Sequence, residues 1–247
     1  MKNSQFKLIV IMSLMVSCSS LFASNIVGIA IDGTNNSVYT FYDDLTVTGG
    51  STSKLSSKRK AYKYKLPRNK KPSDIVGIGI DGSNNYVFAW YKDGTVSAGT
   101  TKNLTSKRKP YKYVLPKGKK PTDIIGIGID GTNNLVVAVY RDGTVSAGTT
   151  KDLGKKRSLA KYKLPKGKTP SDIIGIGIDG FIVGKGKEKD NLVSLFEDIG
   201  NSNYASAIKN IYKSRGSLCF AWYRDGEVSA GSSKNFNEVR EPYTYVK

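Results

Sequence analysis

The 247-residue chain contains no histidine and only two cysteines, and its 20 Asp+Glu are outnumbered by 39 Lys+Arg, for a formal charge of +19. Each shortage excludes a chemistry. Without imidazole there is no Ser-His-Asp or Cys-His centre, no His-ligated zinc or haem, and no histidine-driven pH switch. Beyond Cys18 the sole thiol is Cys219, so no intrachain disulfide is available to the folded region; flanked by Leu218, Phe220 and Ala221, it reads as buried strand filling. The apolar run Leu8 to Val16 is too short to span a bilayer. Preceded by Lys2 and Lys7, it reads as the centre of an export signal over residues 1–23. Its exit has two forms, cleavage after Ala23 or acylation of Cys18 in the lipobox-like Leu14-Met15-Val16-Ser17-Cys18. Either route predicts a secreted, periplasmic or outer-membrane protein.

What the chain has in abundance is one motif. Segments opening at Ile26, Ile75, Ile124 and Ile173 read IVGIAIDG, IVGIGIDG, IIGIGIDG and IIGIGIDG at a spacing of 49 residues, and the second and third copies share 34 of 49 positions. Such repetition decides architecture before any other pattern. In the second copy, bulky Val76, Ile78 and Ile80 alternate with Gly77 and Gly79, which predicts a strand. Turn formers Asp81 to Asn85 lead into the aromatic run Tyr86 to Lys92, a second strand. Asp93-Gly94 signals a two-residue type I′ hairpin into a third strand, Thr95 to Thr100. A basic loop, Lys102 to Lys109, precedes a fourth strand, Pro110 to Pro116, whose prolines and outward lysine suit a sheet edge.

Four antiparallel strands per repeat predict an all-β fold, a four-bladed β-propeller with repeats at 26–74, 75–123, 124–172 and 173–247 in a single domain over 24–247. The strand-one glycines fit an innermost strand, small on one face and packing Val or Ile into the gap between blades. Because the domain starts with a first strand and ends with a fourth, no blade is shared, and closure is expected to rest on face packing. The fourth copy carries 34 extra residues between its first two strands. Within this 181–217 insertion, Leu192, Leu195, Phe196 and Ile199, then Ala205, Ile208, Ile211 and Tyr212, recur at helical spacing and predict two short helices.

The repeated aspartates (Asp32, Asp81, Asp130 and Asp179; Asp44, Asp93, Asp142 and Asp225) read as turn chemistry, since catalytic centres are not built four times at one spacing. No catalytic residue, metal or cofactor is expected, and a non-enzymatic binder follows. Basic clusters at 58–60, 107–109 and 155–157, and again at 68–71, 117–120 and 166–168, point to a polyanionic partner such as an acidic glycan or lipopolysaccharide; export argues against nucleic acid. Tyr91 and Tyr223 stand at a position that is Tyr in every copy, whereas the preceding position is Phe41, Trp90, Val139 and Trp222. That variation marks Trp90 and Trp222 as candidates for ligand stacking. Lys92 and Arg224 lie two residues on, and Asn84 and Asn85 supply polar groups for a sugar rim.

The core Phe88 to Thr100, echoed by Val137 to Thr149 and Phe220 to Ser232, resembles the blade core of secreted bacterial β-propeller lectins that bind fucose and related sugars between blades. The resemblance spans all four repeats and implies a multivalent lectin or adhesin with Trp90, Tyr91, Trp222 and Tyr223 at its sugar sites. The chain departs from that family in blade number, in the 181–217 insertion and in lysine content. A second reading is an envelope scaffold that holds a protein or lipopolysaccharide partner through the insertion and the cationic rim, with homo-oligomers compatible with either.

Overall fold

The computed structural model describes residues 24–35, 37–56, 58–131, 134–154, 157–179 and 218–246. The predicted leader and the predicted helices of the insertion lie outside them. The described chain is a ring of four blades, each a four-stranded antiparallel meander. Blade one holds β1 (Ile26–Asp32), β2 (Ser37–Tyr42), β3 (Thr46–Gly50) and β4 (Arg59–Lys63). Blade two holds β5 (Ile75–Asp81), β6 (Tyr86–Tyr91), β7 (Thr95–Thr100) and β8 (Asn103–Lys112). Blade three holds β9 (Ile124–Asp130), β10 (Leu135–Tyr140), β11 (Thr144–Gly148) and β12 (Arg157–Lys161). Blade four holds β13 (Ile173–Asp179), β14 (Leu218–Tyr223), β15 (Glu227–Ser232) and β16 (Asn235–Thr244).

The four first strands form the inner wall, and the glycine-isoleucine alternation is what lets them meet. Each glycine is a hole for an isoleucine of the next blade. A Cβ on Gly28 would lie 2.9 Å from Ile78, one on Gly77 2.9 Å from Ile127, and one on Gly175 2.8 Å from Ile29, which carries the pattern around to its start. The wall is therefore nearly solid: the axis retains a cavity of about 20 Å³ lined by Gly, Val and Ile, room for a single water and no organic ligand.

Hydrophobic residues collect into four separate cores, one per blade junction. Tyr39, Phe41 and Tyr64 of blade one meet Ile78, Val87 and Tyr91 of blade two; equivalent sets fill the other three junctions. Cys219 is buried in β14, as its apolar neighbours predict. At the last junction, Ile29, Ile31 and Leu55 pack on Phe220, Trp222 and Tyr245. Face packing is not the whole of closure, however. Val246 forms a parallel bridge to Lys54, with Leu55 N–H donating to Val246 O at 3.1 Å and Val246 N–H to Ser53 O at 3.2 Å. The same clip recurs between consecutive blades at Lys65–Asn103, Val114–Asp152 and Lys163–Asn235. Val246 thus makes at the junction of blades four and one the contact that Asn103, Asp152 and Asn235 make at the other three.

Two local expectations need correction. The Asp93-Gly94 hairpin is not type I′: Gly94 alone has a positive φ, +80°, and Gly94 N–H bonds Tyr91 O at 3.0 Å, giving a three-residue loop that ends in a left-handed glycine. Blade one places Leu45 there at φ +66°, a conformation costing about 1–2 kcal/mol for a side-chain-bearing residue. The basic run 102–109 is also not a loop, because β8 covers Asn103–Lys112 and Arg108 pairs with Ala98. An edge strand donates to the ladder on one side only, so it accommodates both the charged run and Pro110.

Candidate functional site

Trp90 and Trp222 are fully buried, at 0% exposure, as are Tyr91 and Tyr223. The indoles do lie between blades, as the resemblance implies, but inside packed junctions. Trp90 sits with Phe88 and Ile129 at the blade two–three junction, and Trp222 with Phe220 and Ile31 at the blade four–one junction. Their far ring edges approach Gly79 and Gly177: a Cβ there would meet Trp90 Cζ3 at 3.4 Å and Trp222 Cη2 at 2.9 Å. The absent side chain on the inner strand is what makes room for an indole. Both Nε1–H groups are buried without a hydrogen-bond partner, which costs about 1–3 kcal/mol each. No open indole face is presented for a sugar.

The polar residues expected to complete that site are not brought to it. Asn84 donates its backbone N–H and its side-chain amide to Asp81, at 3.3 and 2.9 Å, and Asn85 takes the left-handed conformation at φ +55°. Both are turn residues at the start of β6, whereas Lys92 follows its end, about 20 Å away along an extended six-residue strand. Lys92 and Arg224 are exposed on the face opposite the Asn turns. We expect Trp90→Ala to cost about 3–5 kcal/mol in urea denaturation. Trp90→Phe is expected to cost no more than about 2 kcal/mol, since the residue already present at Phe41 removes the unpartnered donor as well as ring volume. In the native protein, tryptophan emission should be blue-shifted and resistant to acrylamide.

What the fold does assemble is a lysine–tyrosine–aspartate set on the face carrying the second-to-third-strand hairpins. Lys70, Lys119 and Lys168, from the linkers between blades, each place Nζ over a tyrosine ring, at 4.8 Å from Tyr91, 4.8 Å from Tyr140 and 5.0 Å from Tyr223. Each is also ion-paired, to Asp93, Asp142 and Asp225 respectively, with Glu227 a second partner of Lys168 at 2.5 Å. These lysines are nearly buried while their aspartates are half-exposed. The Lys119 and Thr144 hydrogen bonds hold the Asp142 carboxyl down to about 2, and Lys168 keeps Asp225 below the usual carboxylate range. Burial pushes Tyr91, Tyr140 and Tyr223 up to about 12, against hydrogen bonds to Ser97, Ser146 and Ser229. The set is a structural pin, legible in retrospect as Lys70 and Lys119 each preceding its aspartate by 23 residues.

The outer rim is different. At the first two junctions a strand-four tyrosine meets a lysine of the following blade: Lys102 Nζ is 5.0 Å from the Tyr62 ring and Lys151 Nζ 5.1 Å from Tyr111, with Tyr62 OH bonding Thr101 at 2.6 Å. Lys65, Lys112, Lys117, Lys163 and Lys166 are exposed on the fourth strands or in the linkers that follow them. The aspartates, by contrast, are largely engaged in turns. Asp32 accepts from Asn35, Asp81 from Asn84, and Asp44, Asp93 and Asp142 from the threonine two residues on. No known protein family matches the chain, and no curated protein matches it either.

Proposed function

We propose that the protein is an exported, non-enzymatic binding ring that holds an anionic carbohydrate polymer along its cationic rim. The observation that carries this reading is the division of charge. Carboxylates are tied into turns and ion pairs while lysines recur, exposed, from blade to blade. A polymer with regularly spaced acidic groups meets several such lysines at once, and linked weak contacts raise avidity without any deep pocket. Tyr62 and Tyr111, partly buried against the junction cores, each hold a lysine ammonium over the ring at this rim. The reading keeps the carbohydrate partner implied by the lectin resemblance and moves its site from the interior indoles to the rim.

The test is binding of purified protein to immobilised acidic and neutral polysaccharides. Acidic polymers should bind and neutral ones should not, and raising salt from 50 to 500 mM should weaken binding steeply as the Debye length shrinks. Charge reversal at Lys112, Lys163 and Lys166 should lower affinity about fivefold per residue, on the scale of about 1 kcal/mol per cation beside an anionic surface. Salt-independent binding to a neutral glycan would return the site to an uncharged pocket. The alternative of an envelope scaffold has one observation in its favour. Asp179 and Leu218 remain paired at the β13–β14 mouth, the position that carries the Asn turn in the other blades.

A further inference from the structure

One cation of the fourth-strand region recurs in every copy, and it is an arginine each time. Arg59, Arg108, Arg157 and Arg240 share a repeat position, while the residues before them read Lys58, Lys107, Lys156 and Val239 and those after them Lys60, Lys109, Ser158 and Glu241. All four hold one backbone register, opposite the small strand-three residues Gly49, Ala98, Ala147 and Ala230. In blade one the missing side chain is the room that the arginine uses: a Cβ on Gly49 would lie 3.2 Å from Tyr39 Cε1 and 3.3 Å from Arg59 Cδ. The guanidinium carbon stands 5.5 Å from the Tyr39 ring centre, and Nη1–H donates to the Tyr39 hydroxyl. That bond does not account for the arginine, because the counterparts of Tyr39 are Phe88, Val137 and Phe220, none with a hydroxyl. A bulge adds a neighbour. Val47 faces Tyr62 and Gly49 faces Arg59, so a step of two on β3 is matched by a step of three on β4, and Tyr62 and Arg59 come to one face about 7 Å apart.

We propose that Arg59 of blade one and Lys102 of blade two form a seat for the acidic group of a glycan, a sulfate ester or a uronate carboxylate, at the outer end of their junction. It rests on the reading of the rim as a surface for acidic carbohydrate and names the place where the acid is held. Tyr62 joins the two cations. Its hydroxyl bonds Thr101 at 2.6 Å, which fixes the ring against blade two, and Lys102 Nζ stands 5.0 Å from the ring centre. Arg59 and Lys102 are both exposed, and among the described residues neither is ion-paired, unlike Lys63, Lys70, Lys119 and Lys168. With one donor on Tyr39 and its stem against Gly49, the arginine fork is set in place before a ligand arrives. An oxyanion then accepts from the guanidinium and the ammonium together, whereas a neutral sugar has no group that answers both charges. The sequence repeats the full set once, as Arg108, Tyr111 and Lys151. At the next junction Ala160 replaces the tyrosine, and at the last Ser53 takes the position of the lysine.

The experiment uses the full chain labelled with ¹⁵N, in which the Arg59 Nε–H resonance is assigned by its loss in Arg59→Lys. It is titrated at low salt with a sulfated disaccharide, digalacturonate, inorganic sulfate and a neutral disaccharide. The resonance should move with one or both acidic disaccharides, which tells ester from carboxylate, and stay still with the neutral one. Lys102→Gln should weaken this titration about tenfold, whereas Lys166→Gln, at another junction, should change it by less than about twofold. In Arg59→Lys, followed at the Thr101 amide, affinity should also fall about tenfold although the charge is kept and the thermal midpoint is unchanged. The seat is overturned by an Arg59 resonance that neither acidic disaccharide moves, by inorganic sulfate binding as tightly as the sulfated disaccharide, or by undiminished affinity in Lys102→Gln. Salt-sensitive binding of acidic polymers in any of those cases leaves the rim reading standing without it.

Discussion

Removal of the last three residues, Tyr245 to Lys247, is expected to open the ring. Tyr245 is buried in the junction between blades four and one, its hydroxyl donates to Tyr223 O at 3.3 Å, and its backbone N–H bonds Gly226 O at 2.8 Å. Val246 supplies both hydrogen bonds of the clip to blade one. Deleting a buried aromatic costs about 3–5 kcal/mol, and the lost clip adds about 1 kcal/mol per hydrogen bond. The sum is comparable with the whole stability of an ordinary domain. Calorimetry should show a fall in the thermal midpoint of 10 °C or more, on a scale of about 2–4 °C per kcal/mol for a chain of this size. Small-angle scattering should show expansion. The single change Val246→Pro, which removes only the donor to Ser53, should cost far less; equal losses would mean that Tyr245 is not the anchor.

The second large effect concerns the glycine holes. Gly77→Ala is expected to destabilise by about 1–3 kcal/mol, since its methyl would sit 2.9 Å from both Cβ and Cγ1 of Ile127. Trimming the knob with Ile127→Val costs about 0.5–1.5 kcal/mol alone. Together the two should cost less than their sum, and the double-mutant cycle in urea should return a coupling of about 1 kcal/mol. Strict additivity would show that the junction relaxes around the new methyl. Position matters: blade one already carries Ala30 where its sisters have Gly79, Gly128 and Gly177, so the intolerance is expected at Gly28, Gly77, Gly126 and Gly175, which are glycine in every copy.

Why so much of the ring was readable follows from the same contacts. Period-two alternation in Ile75–Asp81 specifies a strand with one small face, and four copies leave little choice but to set each Ile into the next Gly. Asp-Gly is shared by two-residue and three-residue loops; which one forms depends on where the ladder ends, at Trp90–Val96 here, and that is a pairing property. The burial of the indoles is hidden from the sequence for a related reason. Variation among Phe41, Trp90, Val139 and Trp222 looks like freedom when one strand is read alone, yet each indole lies over a glycine of the strand beside it. The lysine pins were missed because their partners come from the following blade. A charge run in sequence does not reveal which of its members is buried: within 68–71, Lys70 is held on Asp93 while Arg68 stays in solvent.

The pairing of Asp179 with Leu218 means that β13 and β14 stay in register across 38 intervening residues, where blade two spans the same gap with four. Loop closure grows only with the logarithm of length, so even a featureless excursion of this size adds about 2 kcal/mol over a tight turn. Lengthening at that mouth is energetically cheap for the scaffold. The corresponding mouths of the other blades, Asp32–Ser37, Asp81–Tyr86 and Asp130–Leu135, offer three further docking ports for grafted peptides, at which new specificities can be displayed while the four junction cores stay untouched.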